Sequence, residues 1–342
     1  MDALTTISSE QVIGLAMLAA LTFYAVMAGA DYGGGVWDLF AFGPRAAKQR
    51  ETIATAIGPI WEANHVWLIL VIVLLFGCFP PAFAAISVAL HIPLTMLLIG
   101  IVLRGSAFTF RTYDSHKDET QRLWGRIFAI SSLITPVILG IVVGAISNGD
   151  LTTEGSDFAT TYIHSWLQPF PVAVGFLALS LFAYLAAVYL TSDTTDEELQ
   201  NDFRIRALIS SLVSAVLAAT VFLLTKTEAP GIWTDISRAI PLLIGTAVVA
   251  TCTLAFLYFR KFKIARFFAA GQVALVLWGW AIGQYPYLVR PDWTITNSAA
   301  NARTLELIII ALVAGAILLF PSFYYLLHIF KLREQPPKKL DS

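Results

Sequence analysis

The sequence predicts an all-α integral membrane protein of about nine transmembrane helices, arranged as two four-helix bundles plus one peripheral helix. Of its 342 residues, 57% are hydrophobic and only 13% are charged, which is too little charge to cover a water-soluble protein of this size. The apolar residues also fall into runs of roughly 20, the length that a helix needs to cross a bilayer. The net charge of −1 lacks the basic excess of nucleic-acid-binding proteins, so no such partner is expected.

The apolar runs divide one polytopic domain, residues 1–342, into nine spans. Their predicted bounds are about 11–36, 53–78, 82–104, 124–147, 168–190, 206–225, 238–259, 265–285 and 305–330. The second span is polar in its first half, but we predict it at full length because the polar positions recur at helical spacing. The longest outer connection, from Asn148 to Trp166, separates four spans from the next four, which suggests the two bundles.

The distribution of Lys and Arg predicts the orientation of the chain. With the N-terminus outside and the C-terminus in the cytoplasm, eighteen of the 22 basic residues fall on the inner side, Arg104 and Arg111 among them. Four remain outside, and cytoplasmic loops are the ones that carry the excess of positive charge. The short acidic segment from Asp193 to Glu198 is predicted to be a surface turn with a helix N-cap.

Few ionisable side chains fall inside the predicted spans, and each would cost about 2.5–3.5 kcal/mol near a helix centre unless it has a partner or a task. They are Asp31 in the first span, Glu62 and His65 in the second and His91 in the third. Counted along the helices, they step from the cytoplasmic side to mid-membrane, with both histidines roughly 20 Å from the cytoplasmic face. These four residues are our candidates for a proton pathway, because carboxylate and imidazole groups take up and release protons near neutral pH.

Each candidate also has a purely structural interpretation. Glu62 can be neutral or paired to fix helix packing, Asp31 can cap the glycine run that follows it, and His91 can bond a backbone carbonyl. The run Gly33-Gly34-Gly35 is predicted to allow close helix approach rather than to bind phosphate, since it lacks the other parts of a phosphate loop. No metal site is expected, because the two cysteines form no CxxC or Cys/His cluster.

Three segments resemble motifs of cytochrome bd oxidase subunit II. Residues 58–68, GPIWEANHVWL, resemble that family's W-D/E-x-N-x-V-W-L, and residues 28–35, AGADYGGG, resemble its D-G-x-D-x-G-x-G. Residues 103–111, LRGSAFTFR, resemble R-x-x-x-F-x-[FY]-R. The family positions that match, besides the two acids, are Trp61, Asn64, Trp67, Arg104 and Arg111.

The resemblance implies a function in a complex of the bacterial cell (inner) membrane. A haem-bearing subunit I would carry haems b and d, the quinol site and the oxygen-reducing centre, so the present chain would be haem-free and hold no catalytic residue. Its implied tasks are to stabilise subunit I and to help bring cytoplasmic protons to the oxygen site, through Glu62 and Asp31. A structural quinone occurs in this subunit in some members, and a small single-helix accessory subunit is a further expected partner beside the lipid bilayer.

The sequence also departs from the family pattern. Ala28 stands at the first Asp of the glycine motif, Thr109 stands where an acid is common, and His65 replaces a residue that is usually Gln or Glu. The proton path is therefore either rebuilt around His65 and His91 or lost. Two histidines at equal depth also raise the alternative that they ligate a haem of this chain's own.

Two other classes of function stand beside the oxidase subunit. One is a stand-alone membrane transporter or ion permease that uses Glu62 and Asp31 as its substrate site. The apparent lack of a broken span and of an inverted repeat argues against it. The other is a structural scaffold whose polar residues only hold the helices together.

Overall fold

The computed structural model describes residues 7–58, 61–113, 119–152 and 157–333, and nearly all of them are helical. The first half of the chain forms α1 (Ser9–Leu39), α2 (Ala46–Ile57), α3 (Trp61–Cys78), α4 (Pro80–Ala89), α5 (His91–Tyr113) and α6 (Glu119–Asn148). The second half forms α7 (Phe158–Tyr162), α8 (Pro169–Asp193), α9 (Glu197–Glu228), α10 (Pro230–Tyr258), α11 (Phe262–Gln284), β1 (Tyr287–Val289), β2 (Trp293–Thr294) and α12 (Ala302–Arg333).

Eight helices of the described residues are long and apolar enough to cross a membrane, and a ninth span results if the bent pair of α3 and α4 is counted as one. The predicted all-α membrane fold is therefore confirmed. Most helices run several residues beyond the predicted windows, because a helix does not end where the hydrocarbon ends and its polar ends continue into the headgroup layer. We call the end of the bundle where α1 begins the Ser9 face, and the end where α9 and α11 begin the Arg45 face.

The predicted second span, 53–78, is wrong as a single helix. The structure assigns its first residues to α2 and the remainder to α3, with Gly58 in a turn and residues 59–60 outside the described part of the chain. The sequence has proline at position 59, and proline supplies no backbone N–H to continue the hydrogen bonds of a helix.

The predicted third span, 82–104, is also wrong as a single helix. The segment Asn64–Cys78 of α3 and the helix α4 meet at an angle of 116°. Pro80 and Pro81 occupy the first turn of α4, where proline is tolerated, and α5 then begins at His91 and continues to Tyr113. The chain does contain a bent or broken span, so the lack of one cannot be used against the transporter alternative.

Two groups of four helices and one outlying helix make up the bundle. The first group is α1, α3, α5 and α6, and the second is α8 to α11, with α8 packed against α1 and α6 of the first group. The close contact requires glycine in α1, since a Cβ on Gly33 would lie 2.0 Å from the carbonyl oxygen of Phe182 in α8. The interpretation of the glycine run as a close-approach surface is thus confirmed.

The helix α8 lies at the centre of the molecule. All twelve residues from Ser180 to Thr191 are buried, in an apolar cluster to which α9 and α11 contribute Ala207 and Val273. By contrast, α12 packs on α1 and α3 and exposes most of its described side chains, as expected for a peripheral helix.

Short segments close the two ends of the bundle. At the Ser9 face, the hairpin of β1 and β2 is held by Arg290, whose guanidinium donates to Asp235 at 2.9 Å and to the carbonyl of Gly283 at 2.7 Å. In the long connection before α8, the Asp157 side chain caps α7, and the backbone N–H of Thr160 holds the pKa of that carboxyl below its usual range.

The predicted turn at the Arg45 face is confirmed. The carboxylate of Asp196 accepts from the backbone N–H groups of Glu198 and Leu199 and so caps α9. Arg45, in the connection between α1 and α2, donates to both carboxylate oxygens of Asp202 at 2.9 and 2.6 Å, and this pair joins the two helix groups.

Candidate functional site

Asp31 is completely buried in α1 and is the centre of a charged cluster inside the bundle. Its carboxylate forms an ion pair with the guanidinium of Arg104 on α5, which is also completely buried. The same Nη2 atom donates to the backbone carbonyl of Asp31 at 3.0 Å. The attraction between the two opposite charges, together with their further hydrogen bonds, offsets part of the cost of removing both groups from water.

Arg104 is held in place by three further contacts. Its Nε donates to the hydroxyl of Ser132 on α6 at 3.1 Å, and that hydroxyl donates to the carbonyl of Phe128 at 2.7 Å. The guanidinium carbon lies 4.6 Å from the ring centre of Tyr32 and 4.9 Å from that of Phe128. The cation is thus sandwiched between two aromatic rings, an arrangement that stabilises guanidinium groups away from water.

Asn64 completes the shell around the carboxylate. Its Nδ2 donates to Asp31 Oδ2 at 2.7 Å, so each carboxylate oxygen accepts from a different helix, Oδ1 from α5 and Oδ2 from α3. The sequence predicts Asp31, Asn64 and Arg104 as separate motif positions, and the structure brings all three together. Arg104, which the charge count places in a cytoplasmic loop, lies instead in the interior of α5.

Two buried polar atoms of this cluster, Asn64 Oδ1 and Arg104 Nη1, have no hydrogen-bond partner among the described residues, and the hydroxyls of Tyr24 and Tyr32 lie beside each other next to them. The Tyr24 hydroxyl interacts electrostatically with Tyr32, Asp31 and Arg104, so these groups lie in one region. Buried donors and acceptors are almost always satisfied, and a group of them with spare capacity is suited to bind water.

Glu62 lies in the first turn of α3, directly before this cluster. The side chains of Trp61 and Glu62 are outside the described residues, so only their backbone positions are known. Glu62 precedes Asn64 by two residues, which corresponds to a rise of about 3 Å along the helix. The two predicted proton-pathway acids therefore lie at similar depth on adjacent helices.

The two candidate histidines are far apart. His65 follows Asn64, is half-buried and lies within the electrostatic influence of Asp31 and Arg104. His91 is exposed at the start of α5, where its Nδ1 lies 3.0 Å from the carbonyl of Val88 and its ring contacts that of Tyr162 in α7.

The predicted equal depth of the histidines is wrong, because the division between α2 and α3 puts His65 four residues into α3, beside the Asp31 cluster. Arg104 marks the depth of Asp31 and His65, and it lies thirteen residues, or about 20 Å, further along α5 than His91. His65 and His91 cannot hold the same haem iron across such a distance.

A second ion pair repeats the first, closer to the Arg45 face. Arg111 donates to both carboxylate oxygens of Asp38 at 2.9 and 3.0 Å, and its guanidinium carbon lies 5.8 Å from the ring centre of Phe128. The acids are seven residues apart on α1, as are the arginines on α5, so each helix presents its two charged groups on one side. Asp38 is absent from our sequence-based candidates, although its seven-residue spacing from Asp31 is a signal in the sequence.

Trp67 packs in the apolar interior of the bundle. It is buried, and its ring stacks on that of Phe23 with the centroids 4.6 Å apart.

Among the described residues, no group of three or more His, Cys, Asp or Glu side chains is arranged to hold a metal ion.

Comparison with known proteins now decides the family. The family model for cytochrome bd terminal oxidase subunit II matches residues 9–330, almost the whole chain. The chain belongs to this family. It is thus one subunit of a cytochrome bd oxidase, an oxidoreductase complex, and subunit II implies a subunit I as its partner. Membership also implies a multi-span protein of the bacterial inner membrane.

Individual relatives agree with the family assignment. The chain is 25% identical over 341 residues to a Bacillus subtilis (strain 168) protein assigned as a cytochrome bd menaquinol oxidase subunit II, covering 95% of this chain and 96% of the relative. It is 27% identical to the cytochrome bd-I ubiquinol oxidase subunit 2 of Escherichia coli (strain K12), over 57% of this chain and 52% of the relative. The fold is similar to a chain of the bd oxidase from Geobacillus thermodenitrificans, with a TM-score of 0.80, 23% identity, and coverage of 94% and 99% of the two chains.

Proposed function

We propose that this cytochrome bd oxidase subunit II is haem-free, stabilises the haem-bearing subunit I and helps deliver cytoplasmic protons to the oxygen-reducing site in that partner. The observation that carries the proton-delivery role is the buried Asp31, engaged by Arg104 and Asn64 and adjoined by polar atoms with spare hydrogen-bonding capacity. Ionisable groups inside a bundle commonly mark proton routes in membrane proteins, and this one lies on a helix adjacent to Glu62 at similar depth.

In this proposal the residues of this chain transfer protons, and they take no part in electron transfer. Asp31 accepts a proton on a carboxylate oxygen, which neutralises it and weakens its pairing with Arg104, while Ser132 and the two rings keep the guanidinium in place. Release of the proton restores the ion pair. Glu62, at similar depth on α3, is the proposed next acceptor, and His65 beside it is a further candidate. His91, exposed at the opposite face, is not part of this route.

Electron transfer and oxygen reduction belong to the partner. Haems b and d are proposed for subunit I, and a quinol is the proposed electron donor because the relatives are named for menaquinol and ubiquinol. A structural quinone in this chain and a small single-helix accessory subunit stay predictions.

Replacing Glu62 by Gln tests the proton-delivery role in the intact complex. We expect proton uptake coupled to oxygen reduction to slow on the order of 100-fold, the low end of the effect of removing a proton-transfer group. Glu51→Gln, at an exposed position of α2, is the matched control and should leave uptake unchanged. Uptake at the normal rate in a fully assembled Glu62→Gln complex would show that this acid carries no proton.

The proposed orientation places the Arg45 face in the cytoplasm. Ala47 on α2 and Thr296 after β2 are exposed at opposite faces and offer positions for single cysteines. We expect a membrane-impermeant thiol reagent to label Thr296→Cys in whole cells and to label Ala47→Cys only in inverted membrane vesicles. The reverse pattern would invert the topology and exclude proton entry from the cytoplasm through this face.

A further inference from the structure

A cavity of about 150 Å³ lies between Asp31 and the Arg45 face. The Asp38–Arg111 ion pair forms one part of its wall, the Phe128 ring another, and Ile57 and Ala54 of α2 a third. The cavity is several times larger than the roughly 10–15 Å³ that one water molecule requires, so it has room for several. Ala54 is the one residue of the seven in the lining that is exposed at the surface, so we take it as the mouth of the cavity.

The charged pair makes this cavity suitable for water. Asp38 is 5% exposed, and the Arg111 side chain is 23% exposed. The Asp38 carboxylate can accept more hydrogen bonds than its bidentate contact with Arg111 uses, and water molecules in the neighbouring cavity can donate to its oxygens. The remaining wall is apolar and offers water no competing partners, so the chain of water molecules would be ordered by the ion pair.

Phe128 separates the cavity from the Asp31 cluster. Its ring lines the cavity and at the same time contacts both arginines, with Arg111 at 5.8 Å and Arg104 at 4.9 Å from the ring centre. Arg104 belongs to the ion pair with Asp31, so the Phe128 ring contacts a member of each of the two ion pairs. They are about 10 Å apart along the helix axes.

We propose that the cavity is a water-filled vestibule from which protons reach Asp31, with the Phe128 ring as the partition at its inner end. This inference rests on the proposed proton-delivery function, and it identifies the cavity as the place where the proton route begins. A hydronium ion in the vestibule loses a proton and becomes water, and the proton forms an O–H bond with a carboxylate oxygen of Asp31. When the Phe128 ring moves aside, water in the vestibule can contact Asp31. When the ring moves back, it keeps water from permanently surrounding the buried ion pair of Asp31 and Arg104.

Cysteine modification of the intact complex tests the vestibule. In a variant with Cys78 and Cys252 replaced, Ala54→Cys places a thiol at the mouth, and Ala47→Cys is a matched control two helical turns away on the same exposed side of α2. We expect a small, positively charged methanethiosulfonate reagent to modify both thiols. Modification at position 54 should slow proton uptake about tenfold, whereas modification at position 47 should leave it unchanged.

A purely steric variant gives a second measurement without chemical labelling. Ala54→Trp fills the mouth and should slow proton uptake to a similar degree, while Ala47→Trp should not. The vestibule is excluded if the thiol at position 54 does not react, or if blocking the mouth leaves proton uptake unchanged. If blocking has no effect but Glu62→Gln still slows uptake, only the vestibule is wrong. If neither change affects uptake, the proton-delivery function itself fails.

Discussion

Replacing Arg104 by Met is expected to destabilise the protein by about 3–5 kcal/mol, the usual cost of leaving one charge of a buried pair without its partner. Asp31 would stay completely buried with only Asn64 as a donor. The variant should fail to accumulate in the membrane, or should unfold at a much lower temperature than the native complex when thermal unfolding is followed in mild detergent. Arg104→Lys should also be destabilising. The planar guanidinium of arginine donates to Asp31 and to Ser132 from different nitrogen atoms, whereas lysine has a single ammonium nitrogen that cannot reach both.

A double variant separates the structural role of this pair from its role in proton transfer. Replacing Asp31 by Asn and Arg104 by Gln removes both charges, and buried pairs replaced on both sides are often tolerated. We therefore expect the double variant to assemble with subunit I to a near-normal level and to take up protons slowly. If it assembles and takes up protons at the native rate, Asp31 only holds the helices together, as the scaffold alternative states.

Replacing Gly33 by Ala is expected to prevent correct packing of α1 against α8. The added methyl carbon would lie 2.0 Å from the backbone oxygen of Phe182 and 2.7 Å from the Cβ of Ala186, so two helix backbones must move apart. Overpacking of this kind typically costs 1–3 kcal/mol, and roughly the upper end or more applies where backbone atoms collide. The measurement is the amount of intact complex that survives gentle detergent extraction.

Gly271→Ala is the matched control for the glycine prediction. Gly271 lies within α11, and a Cβ added there would meet no atom of the described structure within 4 Å. Because alanine favours the helix over glycine by roughly 0.5–1 kcal/mol, this control should be neutral or slightly stabilising. Equal yields of Gly33→Ala and Gly271→Ala would contradict the close approach of α1 and α8.

The sequence was sufficient to predict the membrane fold because hydropathy depends on composition over a window and not on the partners of a residue. From α6 onward, the predicted spans coincide with helices, and the glycine run was correctly interpreted as a contact surface. The helix boundaries between Pro59 and Pro93 are harder to predict from the sequence. Proline is common in the first turn of a helix, and the hydropathy of the segment stays high across such a boundary, so a hydropathy window does not detect it.

The error at α4 and α5 also explains why the site was only partly predicted. With the third span placed at 82–104, Arg104 falls at the cytoplasmic end of its helix, where water would solvate it, whereas α5 continues nine residues beyond it. The partner of Asp31 depends on which faces of α1 and α5 point toward each other, and this is a property of tertiary packing. Asp38 was missed for the same reason, since its partner Arg111 was also assigned to the cytoplasmic surface.

The central position of α8 has a consequence for how the protein is made. A multi-span chain enters the bilayer helix by helix, and the helices associate afterwards. When α8 leaves the insertion machinery, α9 and α11 have not yet been synthesised, so the side chains from Ser180 to Thr191 must first be compatible with lipid. Only later are they covered by protein on every side. This segment must therefore suit two surroundings in succession, and a charged residue in it would cost about 2.5–3.5 kcal/mol at insertion, before its later partners exist.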